Sequence, residues 1–234
     1  MNVIITGASK GMGKALAMAF ANEGANLFLC ARTENVLAAT ANEIKKKYPS
    51  ITVKIKACDL AIKQVAQDFG KWALAEGGSI DILVNNAGLF LPGDTYNEPD
   101  GTLENMIETN LYSAYYLTRE IVPAMIEKKK GHIFNICSVA SLEAYPGGGS
   151  YGISKFALMG FSKNLRHELK EHYIKVSAVY PGAVLTDSWK NFDNSDNRIM
   201  EAEDISAMII AATKLSPQAV VEDIILRPQL GDLG

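Results

Sequence analysis

The sequence predicts an α/β protein in which one doubly wound domain, residues 1–234, is built on a parallel sheet of seven strands. Short apolar segments alternate with helix-forming segments along the whole chain. Such alternation calls for a parallel sheet with helices on both faces, because each crossover must pack back on one face. No linker, low-complexity segment or charge block divides the chain, and 234 residues are enough to bury a full core.

The elements follow one another at short intervals. The first strand, residues 2–6, ends at Gly7, and a glycine-rich turn leads into a helix over 15–23 that Gly24 ends. The other predicted strands are 25–30, 51–58, 79–85, 132–137, 174–180 and 219–226. The other predicted helices are 34–47, 62–76, 102–129, 151–171 and 202–214.

Composition and charge exclude several classes of partner. A hydrophobic content of 48% and a charged content of 21% are those of an ordinary soluble protein. The formal charge of −3 gives no electrostatic reason to expect nucleic acid or an anionic membrane. The chain begins in a strand-like segment, and no apolar segment approaches the roughly 20 residues that span a bilayer. Cys30, Cys58 and Cys137 have no metal-ligand spacing, so we expect a cytoplasmic protein with reduced thiols and no metal site.

A serine, a tyrosine and a lysine between residues 138 and 155 are the candidate catalytic groups. Tyr151 and Lys155 are four positions apart and would project from one face of a helix. An ammonium beside a phenol favours the phenolate, so the tyrosine would exchange protons nearer neutral pH. The hydroxyl of Ser138 would hold a carbonyl oxygen while the phenol donates to it. The tyrosine–lysine spacing alone has little specificity, so the case depends on the surrounding motifs.

The glycine-rich turn after the first strand is a candidate phosphate site. Gly7, Gly11 and Gly13 would let the backbone turn tightly and approach a pyrophosphate at the start of a helix, whose free N–H groups favour anions. The common G-x-G-x-x-G pattern is not met, because Leu16 stands at its third glycine position. The turn is not a P-loop either, because Gly-Lys-Ser/Thr is missing.

Six motifs occur in one order and spacing. They are T-G-x-x-x-G-x-G at Thr6–Gly13, N-N-A-G at Asn85–Gly88, Asn110, Ser138, Tyr151-x-x-x-Lys155 and Pro181–Gly182. In these motifs the chain resembles a short-chain dehydrogenase/reductase of the common cytosolic type, over essentially its whole length. The resemblance implies a Rossmann-like NAD(P)-binding fold and the catalytic set Asn110, Ser138, Tyr151 and Lys155.

The resemblance also assigns roles to these residues. Tyr151 would protonate the carbonyl oxygen that Ser138 holds, while a nicotinamide hydride attacks the carbon. Lys155 would lower the Tyr151 pKa and hold the nicotinamide ribose. Asn110 would kink its helix and hold a water in a proton relay to the lysine. The residues implied to contact the cofactor are Gly7, Ser9, Lys10, Gly11, Met12, Gly13, Arg32, Asp59, Leu60, Asn86, Ala87, Gly88, Tyr151, Lys155, Pro181, Gly182, Val184 and Thr186.

The end of the second strand decides the form of the cofactor. NAD-preferring members carry an acid at the position of Ala31, whereas this chain has Ala31, then Arg32, with Lys10 in the phosphate turn. Two cations suit a 2′-phosphate, which an acid would repel. The resemblance therefore implies NADP(H).

Two other classes of protein are weighed against a reductase. Gly148–Gly152 matches the G-x-S-x-G motif of serine hydrolases, but a loop rather than a strand precedes it. A triad would also need an Asp and then a His after Ser150. No Asp lies between Ser150 and His167 or His172, and no histidine follows His172. A non-catalytic NADP-binding regulatory protein of the same fold would be expected to lack part of the catalytic set, and this chain keeps all four residues.

The substrate is expected to be a small ketone or aldehyde or the matching alcohol. The C-terminal sequence is similar to carbonyl-reductase and sepiapterin-reductase-like members, and a 3-oxoacyl thioester on an acyl-carrier protein is the second possibility. The segment 187–200 would close over the substrate, with Trp189 and Phe192 as an apolar lid. The resemblance also implies a homodimer or homotetramer, because helices 102–129 and 151–171 carry many apolar residues. These are Leu111, Tyr115, Phe156, Leu158 and Phe161.

Overall fold

The computed structural model describes residues 1–186, 189 and 192–233, and it confirms the predicted α/β fold. Seven parallel strands form one sheet in the order β3-β2-β1-β4-β5-β6-β7. The strands are β1 (Asn2–Thr6), β2 (Asn26–Ala31), β3 (Val53–Ala57), β4 (Ile82–Asn85), β5 (Gly131–Ile136), β6 (Ile174–Pro181) and β7 (Asp223–Leu226). The α-helices are α1 (Gly11–Asn22), α2 (Glu34–Lys47), α3 (Lys63–Gly77), α4 (Thr102–Ile107), α5 (Ser113–Lys128), α6 (Gly149–Leu169) and α7 (Ala202–Thr213).

The strand order places a cleft at the centre of the sheet. The chain starts at β1, builds outwards to β3, and then returns to the other side of β1 with β4. The connections that follow β1 and β4 run in opposite directions across the sheet. The carboxyl ends of these two strands therefore have open space between them.

Two apolar layers hold helices to the two faces of the sheet. Neighbouring residues of β1 point into different layers, as the pleat of a strand requires. Val3 and Ile5 pack with α1, α2 and α7, whereas Ile4 packs with α3, α5 and α6. Side chains such as these are fully buried, and each contributes about 1.5–3 kcal/mol of transfer free energy. The largest part of the stability therefore comes from sheet–helix packing.

The predicted helix 102–129 is interrupted. A π-helical turn, Glu108–Tyr112, separates α4 from α5, and the Ser113 hydroxyl donates to the carbonyl of Thr109 at 2.6 Å. Helix α1 begins at Gly11 rather than at residue 15, because the turn glycines belong to its first turn.

The last strand is shorter than predicted, since 219–222 lie outside it. In this stretch the Val221 carbonyl accepts from the Ser177 hydroxyl, and the Glu222 carbonyl accepts from the Ala178 N–H at 2.8 Å.

Within the described ranges, none of the helices has the length and apolarity needed to cross a membrane. The same residues contain no group of three or more acidic, histidine or cysteine side chains able to hold a metal ion.

Candidate active site

Two adjoining clefts open at the carboxyl ends of the strands. The first, here called the glycine cleft, encloses about 300 Å³ above β1 to β4 and is lined by the turn around Gly11. The second, here called the tyrosine cleft, encloses about 410 Å³ above β5 and β6 and is lined by Ser138 and Tyr151. Met12 and Thr186 line both clefts, so the two cavities meet at these side chains.

The structure gathers the predicted cofactor contacts around these two clefts. The glycine cleft is lined by Gly7, Ser9, Lys10, Gly11, Met12, Gly13, Arg32, Asp59, Leu60, Asn86, Ala87, Gly88 and Thr186. Tyr151, Pro181, Gly182 and Val184 line the tyrosine cleft. Lys155 is buried beneath them, and its ammonium lies 3.7 Å from the place where a Cβ on Gly88 would stand.

The glycine turn has a shape that side chains would destroy. Gly7 and Gly11 have φ angles of +64° and +53°, which L-residues with side chains rarely adopt. A Cβ on Gly13 would lie 2.2 Å from the carbonyl oxygen of Gly7. No acidic side chain stands in the first turn of α1, so its N–H groups and positive dipole end are available to an anion.

Asn86 and Thr6 fix this turn to the neighbouring strand. The Asn86 amide donates to the carbonyls of Thr6 and Gly7, at 2.8 and 3.3 Å. The Thr6 hydroxyl accepts from the backbone N–H groups of Asn86 and Ala87, at 2.9 and 2.8 Å. The ends of β1 and β4 are thereby held in register at the floor of the glycine cleft.

Sequence reasoning missed part of the glycine cleft. Its additional lining residues are Cys30, Thr33, Cys58, Ala61, Thr109 and Ser113, with Ala31 beside Arg32. The first four follow or end β2 and β3, so strand topology could have indicated them. Thr109 lies in the π-helical turn and Ser113 directly follows it; the sequence signals an interruption at Asn110 but not this π-helical form. Asp59 lines the cleft and also accepts from the Ala61 N–H at 3.1 Å.

Helix α6 and the loop after β5 bring the catalytic candidates together. Tyr151 and Lys155 lie on the first turns of α6, and Ser138 caps a 3-10 turn, Val139–Ser141, by accepting from the Ala140 N–H at 3.2 Å. The Ser138 hydroxyl lies near enough to the Tyr151 phenol to lower the pKa of that phenol, and it donates to the Pro181 carbonyl at 3.5 Å. Two neighbouring hydroxyls on the wall of one cavity can bind the same substrate oxygen.

Burial controls the proton affinities of the tyrosine and the lysine. Burial raises the pKa of Tyr151 to about 12, although the neighbouring Ser138 hydroxyl partly opposes this. Burial lowers the pKa of Lys155 to about 8. The expected lowering of the Tyr151 pKa by Lys155 is therefore not seen. The ammonium lies 5.7 Å from the tyrosine ring centre and donates to the carbonyl of Ile136 at 2.8 Å instead.

Asn110 lies buried in the π-helical turn, which is the predicted kink. Its side-chain oxygen accepts from the Leu89 N–H at 2.7 Å. Its amide nitrogen donates to the Leu89 carbonyl at 2.9 Å and to the Ser154 hydroxyl at 2.8 Å. The side chain thus links the loop after β4 to α6, and the water relay stays a prediction.

Aromatic residues form part of the wall of the tyrosine cleft. The Phe90 ring meets the Tyr151 ring edge-on, with centres 4.8 Å apart. Trp189 lines the cleft and contacts Phe192, with ring centres 5.6 Å apart. Of the predicted closing segment, 187, 188, 190 and 191 lie outside the described residues. Lining residues that the sequence did not indicate include Phe90, Glu143, Tyr145, Asp232 and Leu233.

The hydrolase motif does not form a nucleophile site. Ser150 is buried in the first turn of α6, and a loop rather than a strand precedes it. Its hydroxyl donates to Glu98 at 2.5 Å, and its N–H donates to the same carboxylate oxygen at 3.0 Å. Ser150 therefore anchors the helix that carries Tyr151.

The chain matches a known protein family and a curated relative. Residues 1–197 match the family model described as short chain dehydrogenase. The chain is 28% identical over 225 residues to an uncharacterised oxidoreductase of Staphylococcus aureus, with 96% of both chains covered.

Two solved structures are similar over nearly the whole chain. A metagenomic short-chain oxidoreductase in complex with NADP has a TM-score of 0.86 and 31% identity, covering 98% of this chain and 97% of that one. L-sorbose reductase from Gluconobacter frateurii, complexed with NADPH and L-sorbose, has a TM-score of 0.89 and 27% identity, covering 96% of this chain and 94% of that one.

Proposed function

Because the chain belongs to the short-chain dehydrogenase family, we propose that it is an NADPH-dependent reductase of a small ketone or aldehyde. One observation carries this proposal: Ser138 and Tyr151, which both bear hydroxyls, line one cavity, and that cavity meets the glycine cleft. A carbonyl group in the tyrosine cleft would lie within reach of both hydroxyls and beside a nicotinamide reaching across Met12 and Thr186.

The glycine cleft fits a dinucleotide. The close packing of Gly13 on the Gly7 carbonyl and the positive φ angles of Gly7 and Gly11 form a tight backbone turn that side chains would disrupt. Phosphates would lie there against the N-terminus of α1. Nicotinamide cofactors were bound to both solved relatives described above. When bound, the cofactor supplies the hydride.

The chain's own residues supply the proton and hold the oxygen. With a pKa of about 12, Tyr151 is protonated at neutral pH and is therefore ready to donate its proton to the developing alkoxide. Ser138 donates to the same oxygen and holds it in line with the phenol. Lys155, with a pKa of about 8, is mostly charged at neutral pH, and its ammonium beside Gly88 would hold the ribose of the nicotinamide.

The form of the cofactor follows from the end of β2. Arg32 and Lys10 line the glycine cleft, and Ala31 stands where a carboxylate would repel a 2′-phosphate. Replacing Ala31→Asp together with Arg32→Leu should shift the preference to NADH. Removing one charge-assisted hydrogen bond costs about 1.5–3 kcal/mol, so KM for NADPH should rise at least roughly tenfold. Equal KM values for NADPH and NADH in the unaltered enzyme would contradict this assignment.

The proposed reaction is tested by following NADPH absorbance with a panel of ketones and aldehydes. Tyr151→Phe removes only the hydroxyl, so kcat should fall roughly 10²- to 10⁴-fold while NADPH binding stays intact. Tyr96→Phe is the matched control, because Tyr96 is 86% exposed. Near-normal turnover in Tyr151→Phe would refute the role of Tyr151. An unaltered enzyme that binds NADPH but reduces nothing would favour a regulatory protein.

A carrier-bound 3-oxoacyl thioester is less well supported. An acidic carrier protein would need a basic surface, and two of the cationic side chains that could form one are already paired with carboxylates. Arg166 is bonded to Glu222 at 2.9 Å, and Lys130 lies 3.3 Å from Asp81. A small free substrate is therefore the better match.

Assembly into a dimer or tetramer is part of the proposal. Tyr112, Ile153 and Phe156 are 41–43% exposed on the surface formed by the π-helical turn and α6. Leu158, by contrast, is buried in the chain's own core, so it does not belong to this apolar surface. Light scattering should give a multiple of the 25.3 kDa chain mass, and a monomer at micromolar concentration would refute the assembly.

A further inference from the structure

The tyrosine cleft carries charge of one sign. Glu143 and Asp232 line it, and both are acidic. Among the described residues that line this cleft there is no lysine, arginine or histidine. The rest of its wall beyond Ser138 and Tyr151 is largely apolar, with side chains such as Phe90, Val139 and Leu233.

Arg227 joins the two acids behind the cleft wall. Its guanidinium donates to Glu143 at 2.6 Å and also pairs with the carboxylate of Asp232. Glu143 comes from the loop between β5 and α6, whereas Asp232 comes from the C-terminal segment. One arginine therefore ties two walls of the cleft together, and we call these three residues the Arg227 bridge.

Other contacts hold the C-terminal part of the bridge in place. The Gly182 N–H donates to the Leu226 carbonyl at 2.8 Å. Arg198 donates to the carbonyls of Gly231 and Asp232, at 3.0 and 3.1 Å. A Cβ on Gly182 would lie 2.8 Å from a carboxylate oxygen of Asp232, so the acid packs directly against the loop after β6.

This arrangement sets the electrostatics that a substrate meets. Within the Arg227 bridge, one guanidinium between two carboxylates leaves one negative charge, and this guanidinium already donates to both acids, while Arg198 donates to backbone carbonyls. A substrate carboxylate or phosphate would meet repulsion without gaining a free cation. An uncharged group meets no such penalty, and an ammonium group is attracted.

We propose that the Arg227 bridge determines substrate specificity, so that the enzyme accepts uncharged and cationic carbonyl compounds and rejects those that carry a carboxylate or phosphate. The inference rests on the proposed reductase function. It narrows the substrate to a carbonyl compound with an apolar body whose far end is neutral or basic.

Three aldehydes of one shape test the proposal: benzaldehyde, 4-carboxybenzaldehyde and 4-(trimethylammonio)benzaldehyde. NADPH consumption gives kcat/KM for each at neutral pH. We expect the carboxylate to be at least about tenfold worse than the neutral compound, and the cation to be equal or better. The difference should shrink as salt is added, because partly exposed charges are screened.

Variants identify the residues responsible. Glu143→Gln and Asp232→Asn remove charge but keep shape, so together they should raise kcat/KM for the carboxylate relative to benzaldehyde by about tenfold. Arg227→Gln leaves both acids unneutralised and should sharpen the rejection. Glu127→Gln, an exposed carboxylate on the last turn of α5, is the matched control and should leave the ratio unchanged.

Two kinetic results would overturn the proposal. One is equal kcat/KM for all three aldehydes. The other is a preference for the carboxylate that Arg227→Gln abolishes, which would make Arg227 an anion receptor. If none of the three aldehydes is reduced, the reductase function fails for this substrate class. The charge selection is then judged separately by calorimetry of the same aldehydes with the NADP⁺ complex, where tight carboxylate binding would still refute it.

Discussion

The glycine cleft and the tyrosine cleft are built from different parts of the chain. The glycine cleft is formed largely by backbone, namely two glycines at positive φ, a helix N-terminus and the ends of four strands. Side chains on loops make much of the second, among them Phe90, Glu143 and Asp232. A backbone site can bind one constant ligand, whereas a side-chain site can change its substrate with a few substitutions. Affinity for the cofactor and choice of substrate are therefore expected to be separable.

The clefts are also fastened in different ways. Asn86 and Thr6 hold the glycine turn through backbone-directed hydrogen bonds between adjacent strands. The tyrosine cleft depends on contacts between distant loops, such as Glu98 with Ser150 and Arg227 with Glu143. Substitutions that disturb the glycine turn should therefore alter cofactor affinity, and substitutions that disturb the contacts around the tyrosine cleft should alter turnover.

The largest expected effect on cofactor affinity comes from Gly13→Ala. The new Cβ would stand 2.2 Å from the Gly7 carbonyl and 2.7 Å from the Asn86 amide, so the phosphate turn must move. Overpacking of this kind costs about 1–3 kcal/mol, and NADPH affinity should fall roughly ten- to a hundredfold. Fluorescence titration with NADPH measures it.

Gly160→Ala is the control, because a Cβ there enters open space among the described residues of α6. It should gain about 0.5–1 kcal/mol of helix stability and bind NADPH normally. Unchanged affinity in Gly13→Ala would show that the turn does not hold the cofactor.

The next expected effect is a fall in the rate of reduction at alkaline pH. Lys155, with a pKa of about 8, loses its charge as the pH rises through that value, whereas Tyr151 keeps its proton up to about 12. With saturating NADPH, kcat should be flat below pH 8 and fall towards a slope of about tenfold per unit above it. A profile that stays flat to about pH 10 would remove the ammonium from the mechanism.

A smaller effect is expected from Glu98→Ala. Glu98 accepts from the N–H and hydroxyl of Ser150, directly before Tyr151, and so fixes the start of α6. Loss of such a cap costs about 1 kcal/mol, and kcat should fall roughly three- to tenfold while NADPH affinity is kept. Glu98→Gln keeps an acceptor oxygen and should restore most of the rate. A parallel loss of NADPH affinity would show that the two clefts are not separable.

The smallest effect concerns stability, far from both clefts. His132, in β5, is buried against Phe134 and hydrogen-bonded to Ser177 at 2.8 Å. Burial lowers its pKa from 6.5 to about 3. Between these values the unfolded chain binds a proton that the folded protein does not, so stability falls as the pH falls, by up to about 1.4 kcal/mol per unit. Denaturant titration of His132→Gln should show a weaker acid dependence, while an unchanged slope would exclude His132 as the cause.

The sequence was most informative where backbone decides structure. Alternating apolar segments predicted all seven strands, and the glycines around Gly11 predicted the turn, because both depend on local chemistry. The interruption at Asn110 was signalled by a poor helix former, but not its π-helical form. The Arg227 bridge joins loops that are 84 residues apart, and no periodicity in the chain marks such a pair. The Tyr151 pKa went the other way from expectation, since burial outweighs a lysine that is bonded to Ile136.

The independence of NADPH affinity and reaction rate is tested most directly by measuring both quantities in two variants. Arg32→Leu alters only the glycine cleft and Tyr151→Phe only the tyrosine cleft, and each is measured for NADPH affinity and for the single-turnover rate at saturating NADPH. We predict that Arg32→Leu weakens NADPH binding at least about tenfold and leaves the single-turnover rate unchanged. Tyr151→Phe should lower that rate at least about a hundredfold and leave affinity within a few-fold. A comparable change of both quantities in either variant would contradict the separation.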